Sequence, residues 1–239
     1  MTQRDENEGT IRRCSADDST DILSIINAAA EAYRGVIPPD RWHEPYMPAG
    51  ELAAELADGV AFSGYRVKDR LIGVMGVQEL HNVDLIRHAY VLPDRQGQGI
   101  GSRLLRHLCQ DATRPILIGT WAAADWAIRF YERHGFARVE ESSVAPLLTA
   151  YWNVPERQIA TSVVLSSPPL SHDGAGRLIA VRRRKGRDSA WESDDPHASK
   201  GVASMMIECR SALQPDRPAI IRTKTPVSPH RFQRLLSVL

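Results

Sequence analysis

The sequence predicts an α/β (α+β) domain around a mostly antiparallel sheet, on three observations. Helical and strand periods alternate along residues 9–166. Three strand-like runs follow one another between residues 60 and 91. The third leads into a glycine-rich run, Gln96-Gly97-Gln98-Gly99-Ile100-Gly101-Ser102, that opens a helix.

Each element has its own signal. Residues 10–14 read as a short strand. Over residues 17–33, Ile22, Ile25, Ile26, Ala29 and Tyr33 make one apolar stripe with Gly35 behind it, which predicts an amphipathic helix and its stop. A loop rich in proline and aromatics, 36–48, precedes a short helix over 49–57. Residues 60–67 and 71–80 flank Lys68-Asp69-Arg70 and form a hairpin, after which Asn82 turns the chain into a strand ending at Val91. A helix over 102–111, a strand over 115–121 and a helix over 126–134 follow. Trp126, Phe130 and His134 repeat at helical spacing in the last of these, and Gly135 closes it. A final strand is expected over 159–165.

Composition bounds the rest. A chain of 239 residues with 43% apolar content and no apolar run near membrane-spanning length is expected to be globular, with one sizeable domain and an appendage. The polar, acidic first nine residues show no secretory leader. Three cysteines, Cys14, Cys109 and Cys209, have no metal-type spacing, which argues for reduced thiols in the cytoplasm and against bound metal. Cys109 reads as core. Net charge is +1, but residues 1–167 hold 17 Lys and Arg against 22 Asp and Glu, while 168–239 hold 13 against 7. The second part also holds 7 of the 15 prolines and the run Arg182-Arg183-Arg184-Lys185-Gly186-Arg187. The expected division is a flexible terminus over 1–8, a folded domain over 9–166 and a basic, Pro-rich, disordered tail over 167–239. The basic run invites a nucleic-acid or localisation reading, but without interleaved aromatics or a recognisable binding module a solvated, linker-like segment is favoured and no nucleic acid is expected.

The glycine run is an anion cradle, since glycine admits positive φ and close approach while a helix start presents free N–H groups. It closes Gly101-Ser102-Arg103, without the Gly-Lys-Ser/Thr of a P-loop, and its Gly-x-Gly-x-Gly spacing and the acid-free strand after it disfavour a dinucleotide fingerprint. Gln96-x-x-Gly99-x-Gly101, preceded by Val91-Leu92-Pro93-Asp94-Arg95, resembles motif A of the GCN5-related N-acetyltransferases (GNAT). Phe130-Tyr131-Glu132-Arg133-His134-Gly135-Phe136 resembles the family's motif B in the family's order and spacing.

The resemblance, covering about residues 9–166, implies the GNAT acyl-CoA N-acyltransferase fold, a mixed and mostly antiparallel sheet flanked by helices. It implies acetyl-CoA as co-substrate and no metal, with pantetheine along the backbone of Ala89, Tyr90 and Val91 and pyrophosphate on Gln96, Gly97, Gln98, Gly99, Ile100, Gly101 and Ser102. Tyr131 matches the general acid that protonates the departing thiolate, and its ordinary pKa near 10 suits it to a thiol near 8.5. Ala124 stands where relatives often carry a cofactor-binding asparagine, with Asp125 beside it, and Gly119 and Leu85 stand where relatives carry a basic glutamate.

Glu79, His81, His88, His43 and Glu44 therefore remain as candidate bases. Strand alternation places His88 on the face opposite Arg87, Ala89 and Val91. Arg87, Trp121 and His43 are candidate acceptor-binding residues. An arginine at position 87 would suit a carboxylate or phosphinate, or else form a salt bridge across the sheet. Trp42, Trp121, Tyr151 and Trp152 could wall the acceptor pocket. The implied activity is transfer of an acetyl group to the primary amine of a small molecule or amino-acid-like acceptor, by direct attack in a ternary complex, in a cytoplasmic protein without membrane association and with a homodimer as the candidate assembly. A non-catalytic acyl-CoA-binding module and a protein or peptide N-acetyltransferase are the alternatives.

Overall fold

The computed structural model describes residues 9–80, 82–152, 154–173, 178–181 and 236–238. Its first strand, β1 (Thr10–Arg13), leads into helix α1 (Ser19–Ala30), and α2 (Ala49–Ala57) follows the aromatic loop. Three strands, β2 (Val60–Val67), β3 (Arg70–Glu79) and β4 (Asp84–Val91), run antiparallel in sequence. Lys68 and Asp69 both take positive φ, 47° and 64°, the geometry that matches a tight turn to the twist of its strands. Beyond the glycine run come α3 (Ile100–Cys109), β5 (Ile116–Trp121), α4 (Asp125–Arg133) and β6 (Ala137–Arg138). Then follow α5 (Glu141–Tyr151), α6 (Glu156–Ile159) and β7 (Ser162–Ser167).

The main sheet has the order β1-β2-β3-β4-β5-β7-β6, and only the β4–β5 step on this path is parallel. Helices cover both faces. On one, Ile22, Ile25 and Ile26 of α1 and Leu52 of α2 pack with Val74, Tyr90 and Trp121. On the other, Ile100, Leu104 and Leu105 of α3 and Ile128 and Tyr131 of α4 pack with Met75, Ala89, Val91 and Ile118. Cys109 is buried there, as expected of a core thiol. The sheet and its flanking helices thus take the expected arrangement.

Two regions differ from the sequence reading. Helix α5 carries Pro146 inside it, and that residue hid its period; Leu147 and Leu148 bury it against the outer end of the sheet. Two short strands, β8 (Leu170–His172) and β9 (Leu178–Ala180), pair beyond the boundary drawn at residue 166, and Leu170 and Ala180 join the same cluster as Leu148. The remainder of the expected tail lies outside the described residues, except a last strand, β10 (Leu236–Val238).

One buried carboxylate ties the edge of the sheet together. Asp18 accepts hydrogen bonds from the Ser15 amide (2.8 Å) and from both terminal nitrogens of Arg12 (3.1 and 3.2 Å), and it also pairs with Arg66. Burial alone would raise its pKa, but the Ser15 amide and the two guanidinium groups hold it below the ordinary value. Its stabilising contribution is therefore complete above the unfolded-state pKa of about 3.9 and is lost as pH falls through the lower folded-state value. Asp18→Asn is expected to cost about 2 kcal/mol at neutral pH, measured by urea unfolding, and to flatten the decline in stability below about pH 4.

Candidate active site

The sheet opens at its centre. β4 pairs with β5 only at Asp84↔Ile116, Leu85↔Leu117 and Ile86↔Ile118. Past those residues β5 continues along β7 to Trp121, and β4 along β3 to Val91. The edge of β4 released by this parting is the one along which the resemblance places pantetheine, at Ala89, Tyr90 and Val91; here Leu236, Ser237 and Val238 of β10 pair in parallel with its His88, Ala89 and Tyr90.

At the C-terminal end of β4 the glycine run has the backbone of an anion cradle. Gly97 and Gly99 adopt φ of 74° and 76°, a region that costs other residues about 1–2 kcal/mol. Gly99 is the N-cap of α3, no acid occupies the helix's first turn, and space beside Gly99 is open. The amides at the start of α3 and the positive end of its dipole therefore suit a phosphate oxygen. The side chain of Gln96 donates to the Val91 carbonyl (3.2 Å) and that of Gln98 to the Asp94 carbonyl (3.4 Å), so both glutamines brace the loop. Arg103, one turn into the helix, donates to the Tyr65 hydroxyl (2.7 Å).

Tyr131 lies on α4 across the opening, fully buried. The end of its helix holds it. Gly135, at φ 84°, lets its own amide reach the Glu132 carbonyl (3.1 Å) and the Phe136 amide reach the Tyr131 carbonyl (3.1 Å), the double return that satisfies a helix C-terminus. Phe130 and Phe136 then meet the Tyr131 ring edge-on at 5.1 and 5.8 Å between centroids. Ala124 is buried as the N-cap of this helix, and Asp125 is exposed.

Strand alternation fails at Arg87. The β3–β4 register jumps from Gly76↔His88 to Val77↔Ile86, leaving Arg87 as an extra residue on β4. His88 still lies away from Ala89 and Val91, but the bulge brings Arg87 to the His88 face, and both face Glu55 of α2. Glu55 Oε2 lies 3.6 Å from His88 Nε2 and 4.0 Å from Arg87 Nε. Arg87 donates two hydrogen bonds to Gln78 Oε1, at 3.0 and 2.8 Å. Burial would raise the Glu55 pKa, but His88 and Arg87 outweigh it and hold the carboxylate below its ordinary value.

The other expected site residues spread out. Trp121 is buried with Tyr33, Tyr46 and Tyr90, and Trp42 and Trp126 pack against that cluster. Burial, with the Tyr46 and Tyr33 hydroxyls nearby, pushes the Tyr90 phenol well above its ordinary pKa. Trp152 and Tyr151 belong instead to the cluster around α5, where Tyr151 accepts a hydrogen bond from Asn82 (3.0 Å), so they do not share a wall with Trp42 and Trp121. His43 is exposed on the loop between α1 and α2. Glu79 pairs with Arg114 (2.8 Å) and Glu44 with Arg34, both exposed, and His81 lies outside the described residues. Glu55 escaped the sequence reading because an acid in a short amphipathic helix normally faces solvent; only the bulge opposite it marks it out.

Residues 59–138, from the start of β2 to the end of β6, match the family model of the acetyltransferase (GNAT) domain. The fold is likewise that of solved GNAT structures. An acetyltransferase of the GNAT family from Staphylococcus aureus Mu50 superposes over 66% of this chain and 97% of its own, at 14% identity and a TM-score of 0.50. The ribosomal-protein-S18-alanine N-acetyltransferase from Escherichia coli covers 66% of this chain and 92% of its own at 17% identity and a TM-score of 0.46. PaiA N-acetyltransferase from Thermoplasma acidophilum, in complex with coenzyme A, covers 66% and 97% at 14% identity and a TM-score of 0.47. No curated protein matches the chain in sequence. The protein thus has the GNAT fold, and the stretch that matches the GNAT domain model spans the strands and helices that build the site. Among the described residues no helix is long and apolar enough to cross a membrane.

Proposed function

We propose that the protein transfers an acetyl group from acetyl-CoA to the primary amine of a small acceptor by direct attack in a ternary complex. The observation that carries this reading is the parting of β4 from β5, with a phosphate cradle at the end of β4 and a buried tyrosine packed beside the same strand. The cradle residues fit the diphosphate of acetyl-CoA: they offer amides, open space at Gly99 and no competing acid. The backbone edge at Ala89, Tyr90 and Val91 suits the amides of pantetheine, and Tyr131 stands ready to give its phenolic proton to the sulfur that leaves.

On the acceptor side, Arg87 donates to Gln78 and approaches Glu55, contacts that compete with its use as a clamp for a carboxylate. Beside it, the aromatic rings of Tyr33, Trp42, Tyr46 and Trp126 lie 5.5–6.3 Å apart in successive pairs. Among the described residues, the buried indole nitrogens of Trp42, Trp121 and Trp126 have no hydrogen-bond partner. An amine with a flat or apolar body and an oxygen acceptor fits such a surface.

The test is thiol release from acetyl-CoA by the full chain, with 2-phenylethylamine, tyramine, spermidine, L-phenylalanine and L-lysine as acceptors. Acceleration by any of them supports the transferase. Binding of acetyl-CoA without amine-dependent release would return a non-catalytic acyl-CoA-binding module.

Pantetheine and β10 require the same edge of β4, so they compete. Removal of residues 236–239 is expected to lower the acetyl-CoA Kd several-fold by calorimetry, because the ligand then displaces nothing. An unchanged Kd would show that β10 does not occupy the edge in solution.

A further inference from the structure

The mechanism above lacks an acceptor for the amine's proton. We propose that His88 is that acceptor, through its Nδ1, with Glu55 as its positioning partner; this role rests on the transferase reading.

The geometry is that of a carboxylate–imidazole pair. Glu55 Oε2 lies 3.6 Å from Nε2, beyond hydrogen-bond reach but near enough for the carboxylate's charge to favour the proton on that nitrogen and leave the lone pair on Nδ1. His88 is 1% exposed, and among the described residues neither ring nitrogen has a hydrogen-bond partner. A buried imidazole left so is costly unless water or a ligand completes it. The rings of Phe62 and Tyr90 stack on the imidazole, with centroids 5.7 and 6.3 Å away, and hold its plane. The β4 bulge brings Arg87 to the His88 face, opposite Glu55, while Ala89 to Val91 continue along the opening, so the pair sits directly next to the edge assigned to pantetheine.

The charged and titratable groups around His88 are few. Glu55 comes from α2, with Asp58 beyond that helix acting on Arg87; Arg87 and Tyr90 come from β4; and β2 and β3 contribute the uncharged Phe62 and Gln78. His88 and Arg87 together hold Glu55 as a carboxylate.

In the reaction, the ammonium form of the acceptor gives one proton to Nδ1, directly or through one water, and His88 later returns it to solvent. The neutral nitrogen attacks the thioester carbonyl, forming the C–N bond, and the C–S bond breaks as the adduct collapses. Tyr131 protonates the thiolate, and the second proton shed by the nitrogen restores the tyrosine.

Two measurements on the full chain test this. Nitrogen-15 spectra of the histidine rings should show neutral His88 protonated on Nε2, and Glu55→Gln should abolish that preference between the two ring nitrogens. In kinetics, with the panel amine that is turned over fastest, His88→Gln should lower kcat about 10²-fold at neutral pH while leaving the acetyl-CoA Kd unchanged. That deficit should shrink as pH approaches the amine's own pKa. An Nδ1-protonated neutral ring, a parental rate in His88→Gln, or a deficit equal at every pH would overturn the role and leave the transferase standing. If no amine is turned over by the unaltered chain, the transferase reading falls and this role falls with it.

Discussion

Gly99→Glu is expected to bring acetyl-CoA binding below detection by calorimetry while the chain still folds. Gly99 caps α3 at φ 76°, and a side chain there enters open space, so the cost to folding is confined to the backbone, about 1–2 kcal/mol. The cost to binding is larger. A carboxylate at the start of α3 takes the amides and the dipole end that the diphosphate would use, and it repels that anion. Gly99→Ala separates the two effects, since it carries the same backbone strain without the charge and should bind within a few-fold of the parent. Gly101→Glu should abolish binding as well, although Gly101 is buried in the helix and its variant tests folding at the same time. Unchanged affinity in a folded Gly99→Glu protein would remove the phosphate site from this loop.

Tyr131→Phe should lower kcat about 10²-fold with the acetyl-CoA Kd held within a few-fold, the low end of what a positioned general acid contributes. The ring is kept in place by Phe130, Phe136 and the glycine-closed end of α4, none of which needs the hydroxyl. A loss confined to kcat would therefore report proton delivery to the thiolate and not a collapsed site. Turnover at the parental rate would mean that water protonates the thiolate and that Tyr131 is only core.

The sequence by itself determined the elements whose signals are local. The α1 stripe from Ile22 to Tyr33, the hairpin around Lys68 and Asp69, the positive-φ glycines and the Gly135 stop are each set by chemistry within a few residues, and all appear where their residues indicate. Motifs A and B are legible for the same reason. Helix α5 was not, because Pro146 interrupts its period and its burial depends on strands far away in the chain.

What only the tertiary structure decided was whatever depends on register and on long-range pairing. Alternation, the one rule available for β4 in sequence, put His88 and Arg87 on opposite faces; a single extra residue opposite Gly76 and Val77 brings Arg87 to the His88 face, opposite Glu55. The same holds for the parting of β4 from β5, which no residue in either strand announces, and for β10, which lies on β4 across nearly 150 positions of chain. A period of two carries no record of where it slips, and which edges meet is settled by the packing of both sheet faces at once.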